Sequence, residues 1–139
     1  MRTASIAFIL ALMLTAFGCN TGPRVVTIKG VATRKGEPIR DATLNFYPED
    51  GSRPSWGVTD DQGRFELEYD RDTKGAIVTT HKVTATFVRP PQAELDIAAG
   101  KLKTHPDERL IVEKFGNKET TTLRIEITKA EKDLQIKLD

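Results

Sequence analysis

Thr59-Asp60-Asp61-Gln62-Gly63-Arg64-Phe65 places two acidic residues ahead of a glycine, a pattern shared by calcium loops and tight turns. An EF-hand loop takes glycine at position six, oxygen ligands at one, three and five, and a glutamate at twelve. With Gly63 at six, Val58 falls at one, Asp60 at three, Gln62 at five and Tyr69 at twelve. Valine offers a metal no oxygen, and the closing carboxylate is missing. The turn reading accounts for the same residues. Asp60 accepts a bond from a backbone N–H two residues on, and Gly63 takes a positive φ, closing a type I turn with a G1 bulge. Asp60 and Gly63 are therefore expected to be structural turn residues between two strands, with no metal.

On either side of this turn, apolar residues recur at every second position. Val26 and Ile28 alternate with Thr27 and Lys29, and Ala42, Leu44 and Phe46 with Thr43 and Asn45. Trp56 and Val58 form a short run, followed by Phe65, Leu67 and Tyr69, then Val83, Ala85 and Phe87. Leu123, Ile125 and Ile127, and then Leu134, Ile136 and Leu138, complete the pattern. Period-two alternation gives each segment one apolar and one polar face. Two antiparallel sheets packed face to face satisfy seven such segments, so the sequence predicts an all-β, seven-stranded antiparallel β-sandwich of transthyretin-like or Ig-like kind. Residues 89–118 resist this reading, because Pro90-Pro91, Gly100, Pro106 and Gly116 interrupt them. A turn or two of helix is expected near Gln92–Ala99 or Asp107–Phe115. Connections this long are usually functional or disordered.

The N-terminus carries a different signal. Arg2 precedes the uncharged run Ile6–Leu14, which is too short for a membrane span of roughly 20 residues and suits a signal-peptide core. Leu14-Thr15-Ala16-Phe17-Gly18-Cys19 resembles a bacterial lipobox, and Cys19 is the sole cysteine. Residues 1–18 are thus expected to be a lipoprotein signal peptide forming an N-terminal signal helix, cleaved between Gly18 and Cys19. Cys19 is the expected lipidation site. A tether over 19–24 leads into a domain over 25–139. Multiple acyl chains, each gaining about 0.8 kcal/mol per buried methylene, would anchor the chain stably. The expected location is the bacterial cell envelope, exported and membrane-anchored.

Removing residues 1–18 takes away only Arg2 among the charged residues, leaving 20 basic and 20 acidic. This balance, without basic clusters interleaved with aromatics, argues against nucleic acid as a partner. With no cysteine after Cys19, neither disulfides nor thiolate metal sites are expected. About 120 residues suffice for one domain that buries about two-thirds of its unfolded surface.

With the segments placed, the sequence resembles the carboxypeptidase regulatory-like domains of small bacterial lipoproteins, which have a transthyretin-like (prealbumin-like) sandwich. The resembling residues are Gly30-Val31, Gly36-Glu37-Pro38-Ile39 with Ala42–Phe46, Thr59-Asp60 through Gly63 and Phe65, and Gly75-Ala76 with His81–Thr84. Glu113–Asn117 before Thr120–Leu123, and Asp133–Leu138, look like the tail of these lipoproteins. The resemblance covers most of 25–138 and implies a stand-alone module without a catalytic domain.

The chemistry-bearing residues give no enzyme. Transthyretin-like hydrolases carry a C-terminal Tyr-Arg-Gly-Ser, whereas this sequence closes on Ile136-Lys137-Leu138-Asp139. Related sandwiches form Lys–Asn isopeptide bonds, but Lys29 has no asparagine in the last strand to meet. His81 and His105 lack ligand spacing and read as a strand-end and a loop histidine. Asp60-Asp61 and Asp70-Arg71-Asp72 read as solvated turns. No catalytic residue, metal or cofactor is expected. The sequence points to a lipid-anchored, non-catalytic binding or structural module with a protein or glycan partner in the envelope. The alternative is a small-molecule carrier or hydrolase of transthyretin-like type, which would bring two or more titratable groups into one apolar-walled pocket.

Overall fold

Ala42, Leu44 and Phe46 are all fully buried while Thr43, Asn45 and Tyr47 between them are not, which is the alternation turned into a strand. This holds in a computed structural model, which describes residues 22–139. The expected signal helix, the cleavage point at Gly18 and Cys19 itself lie outside the described residues. Of the tether, Gly22–Arg24 has no regular structure.

The chain is mostly β. Its order is β1 (Val25–Val26), β2 (Ile28–Arg34), β3 (Glu37–Pro38), β4 (Thr43–Pro48), β5 (Ser55–Val58), β6 (Arg64–Glu66), β7 (Ala76–Ile77) and β8 (Thr80–Thr86). Two helices follow, α1 (Pro91–Ala98) and α2 (Glu108–Phe115), and then β9 (Arg124–Glu126) and β10 (Glu131–Lys137). One four-stranded sheet has β10 on one side of β2, with β3 and β6 sharing the other side. A second runs β5-β4-β8-β9, and β1 pairs with β7 in a small ribbon. Ile28, Ala32, Phe65, Ile136 and Leu138 of the first sheet and its ends join Leu44, Phe46, Val83 and Ala85 of the second in one apolar cluster. The Phe46 and Phe65 rings meet there at 6.4 Å.

Three features depart from the expected seven antiparallel strands. Ten strands form, because β1, β3 and β7 are two-residue pairings without an apolar period to announce them. β10 pairs with β2 in parallel, the other ladders being antiparallel. Alternation sets which face a side chain takes but not the direction of the neighbouring strand. The third departure is the phase of β5, where Trp56 and Val58 are exposed and Ser55, Gly57 and Thr59 are buried. Gly57 explains this inversion, since a Cβ there would stand 2.8 Å from the Glu66 carbonyl oxygen. The backbone passes too close for any side chain, so the small residues face inward. Nor does β8 have a polar outer face throughout. Thr84 is buried with Val83 and Ala85, and α2 packs on this strand.

At the turn, Gly63 N–H donates to the Asp60 carbonyl and Asp60 N–H to the Arg64 carbonyl, each at 2.9 Å. Asp60 Oδ1 accepts from the N–H groups of Gln62 and Arg64 at 2.9 Å, and Gly63 has φ +73°. These bonds, led by that from Arg64 N–H, hold the Asp60 carboxyl below its ordinary value. The turn does more than close a hairpin, because β5 and β6 belong to different sheets. It carries the chain from one sheet to the other, while Gly63 O accepts from Ala32 N–H of β2 at 2.8 Å.

A Cβ on Gly63 would stand 2.5 Å from the Ala32 carbonyl oxygen and occupy the left-handed region besides. Gly63→Val is therefore expected to destabilise the fold by about 2–3 kcal/mol, measured as a lower urea midpoint with an unchanged slope.

Candidate functional site

The segment that interrupts the alternation builds a cleft lined by several charged and polar side chains. Pro90 and Pro91 start α1 with φ already set for a helix, and Gly100 with φ +72° ends its last turn. No residue of α1 is buried. α2 differs, for Ile111 and Phe115, four residues apart, both enter the core. α2 is thus part of the domain interior, and α1 with its connection to α2 stands on the outside.

Arg34, the last residue of β2, fixes the start of α2. Its position continues the inward phase of Ile28, Gly30 and Ala32, so a guanidinium lies where the pattern calls for an apolar group. Its Nε–H donates to Asp107 Oδ2 at 2.6 Å, and Nη1 donates to the Leu138 carbonyl. Lys35 Nζ reaches the same Asp107 oxygen at 3.3 Å. At the other end of α2, Lys114 Nζ donates to the Asp139 carbonyl. Together these bonds clamp α2 against the C-terminal strand. The Arg34 bond, assisted by Lys35, holds the Asp107 carboxyl below its ordinary value.

Between α1 and α2 lies a cleft of about 460 Å³ lined by Arg89, Glu94, Ile97, Thr104, His105, Pro106, Glu108, Arg109 and Val112. Arg89 and Glu108 form its floor. Nη1 and Nη2 of Arg89 donate to the two Glu108 oxygens at 2.6 and 2.8 Å, and the Phe87 ring lies 5.2 Å beneath the guanidinium. The bond to Glu108 raises the Arg89 pKa above its ordinary value. This end-on fork leaves Arg89 Nε–H buried without an acceptor. His105 shows the same condition. Its Nδ1 accepts from Asp107 N–H at 3.1 Å, so the ring proton is on Nε2, which is buried and unpartnered. The nearest carboxylate oxygen, of the exposed Glu37, is 3.8 Å away, beyond hydrogen-bond range.

The two histidines do not meet. His81 is fully buried in β8, where Nε2–H donates to the Ile77 carbonyl at 2.8 Å and the ring stands edge-on to Phe46. It fastens the β7–β8 corner. Sequence reading passed over His105 as a loop residue and Arg89 as a flank. The run Thr104-His105-Pro106-Asp107 ahead of an amphipathic helix is the signal that could have found His105, since a side chain just before a helix start can accept from its first N–H groups. A second cleft of about 470 Å³, lined by Tyr47, Lys82, Lys118 and Glu119 among others, holds no buried unpartnered group. Among the described residues no group of three or more His, Cys, Asp and Glu could hold a metal, and no helix is long and apolar enough to cross a membrane.

No protein-family model, curated protein or solved structure matches this chain.

Asp107 lends itself to a test by pH. A carboxyl whose folded pKa is lowered contributes stability above its ordinary value of 3.8, and that contribution is lost as pH falls toward the folded pKa. Asp107→Asn is expected to be less stable than wild type near pH 7. The gap should narrow at about pH 3, where protonation removes the wild-type advantage. Urea unfolding at the two pH values checks this, and an equal gap at both would remove Asp107 from the account.

Proposed function

We propose that this protein is a lipid-anchored, non-catalytic module of the bacterial cell envelope, a two-sheet β-sandwich of transthyretin-like or Ig-like kind that recognises its partner through residues 89–118. The carrying observation is the cleft between α2, which the core holds in place, and α1, which buries nothing. Its position supports the reading. β2 runs from Ile28, near the tether, for about 20 Å to Arg34, which holds the start of α2. The cleft thus lies at the pole away from Val25, where a domain tethered at Cys19 would present it outward from the membrane.

The chemistry of the cleft supports binding over catalysis. His105 carries its proton on Nε2 and has Nδ1 engaged, so it is not placed as a general base for Thr104, the one hydroxyl in the lining. One observation favours a small molecule over a protein or glycan partner. Arg89, Glu94, His105 and Glu108 converge beside Ile97, Pro106 and Val112 in one concave site, the arrangement expected of a carrier.

Two measurements test the proposal. Intact-mass analysis and fatty-acid labelling are expected to find acyl mass on Cys19 and no residues 1–18, with labelling abolished in Cys19→Ala. A mature N-terminus elsewhere would remove the anchor from the reading. Replacing residues 91–106 by a short Gly/Ser linker is expected to leave a cooperatively folded domain, because α1 buries nothing. The same variant should lose the cross-linked partners that wild type acquires in intact envelopes. A folded variant that keeps all of them would put recognition elsewhere on the domain.

A further inference from the structure

Buried polar hydrogens in proteins almost always have acceptors, because leaving one unpaired costs about 1–3 kcal/mol. The cleft between α1 and α2 has two such hydrogens in its lining, on His105 Nε2 and Arg89 Nε. Both side chains are about nine-tenths buried, at 11% and 8% exposure. The identity of each group as a donor follows from what its other atoms do. Nδ1 of His105 is occupied as an acceptor, and Arg89, whose terminal nitrogens each hold a Glu108 oxygen, has no acceptor atom at all. Neither group can turn to another partner without breaking a bond it already makes.

A ligand that satisfies them must present an acceptor to each, which carboxylate oxygens do. Charge narrows the class further. Glu108 neutralises Arg89, while Arg109 and Glu94 at the rim have no ion-pair partner among the described residues and balance each other. The cleft therefore carries no excess negative charge to repel an anion. Glu37 shows that a carboxylate can approach, since its oxygen stands 3.8 Å from His105 Nε2 on a mostly exposed side chain. The walls at Ile97, Pro106 and Val112 offer apolar surface beside the donors.

We propose that the cleft binds a carboxylate carried on a short apolar body, its oxygens accepting from His105 Nε2–H and Arg89 Nε–H. Glu37 acts as an internal competitor for the histidine hydrogen. This rests on the reading that residues 89–118 form the recognition site, and it names the chemistry recognised. A free carboxylic acid and the C-terminal carboxylate of a peptide share that chemistry.

The test is titration of the full chain followed by the 15N and 1H resonances of the His105 ring. The probes are hexanoate, hexanol, and a tripeptide ending in leucine as its free acid and as its amide. Saturable shifts with hexanoate, or with the peptide acid but not its amide, support the proposal and separate a free acid from a peptide end. His105→Phe is expected to weaken binding by about tenfold. Glu37→Gln is expected to tighten it about two- to threefold by removing the competing charge, and this variant leaves the buried bonds intact. The proposal is overturned if neither acid saturates, if hexanol or the amide binds equally well, or if affinity is the same with Glu37→Gln as in wild type. Should the acids fail while the linker variant still loses its envelope partners, the ligand class falls and recognition by this segment stands. Should the acids bind through His105 while that variant keeps its partners, the converse holds.

Discussion

The guanidinium of Arg34 is the interaction on which the arrangement of this domain depends. It occupies an inward position at the end of β2 and is only 8% exposed, so its charge has left water almost entirely. A buried charge is tolerated when its hydrogens and its charge are matched, and here Asp107 and the Leu138 carbonyl match it. Those two partners belong to the start of α2 and the end of the chain. One side chain therefore fixes the position of a helix against a strand that is about 30 residues later in sequence. The strength of such a pair as a net contribution to stability is modest, because desolvation offsets much of the attraction. Its value is geometric: it ties the start of α2 to both β2 and Leu138.

Fixing α2 has consequences on both of its faces. Inward, Ile111 and Phe115 join the core, and α2 packs on β8, whose Thr84 is buried although alternation alone would leave it in water. Outward, Glu108 and Arg109 are held opposite α1, and His105 is held by the N–H of the same Asp107 that grips Arg34. The cleft and the core thus share a single anchoring residue. The exposed helix α1 is the only wall of the cleft that the core does not hold, apart from the fork between Arg89 and Glu108.

The fold was readable where side chains alone decide it. Ala42 to Phe46, Val83 to Ala85 and Ile136 to Leu138 show their buried face in the pattern itself, while for 89–118 the sequence offered no more than a turn or two of helix near Gln92–Ala99 or Asp107–Phe115, where two helices form. It was not readable where the backbone decides. Gly57 turns Trp56 and Val58 outward through a close approach to Glu66 that lies nine residues away in the chain and leaves no mark on composition. The parallel direction of β10 depends on how Ile127–Ala130 crosses between sheets, and apolar period is blind to direction. The cleft was the least legible part. Burial of His105 and Arg89 comes from tertiary packing, and in sequence both look like ordinary polar residues of a loop.

The parallel partnership of β10 with β2 bears on the order in which the molecule can form. Leu134 to Lys137 lie beside Gly30 to Thr33, about a hundred residues earlier, so the central strand of that sheet lacks one neighbour until residues 134–137 exist. Contacts of such wide sequence separation are slow to form, since a long loop must close before they are rewarded. Until residues 134–137 take their place, β2 keeps one edge open, and their arrival shuts the sheet.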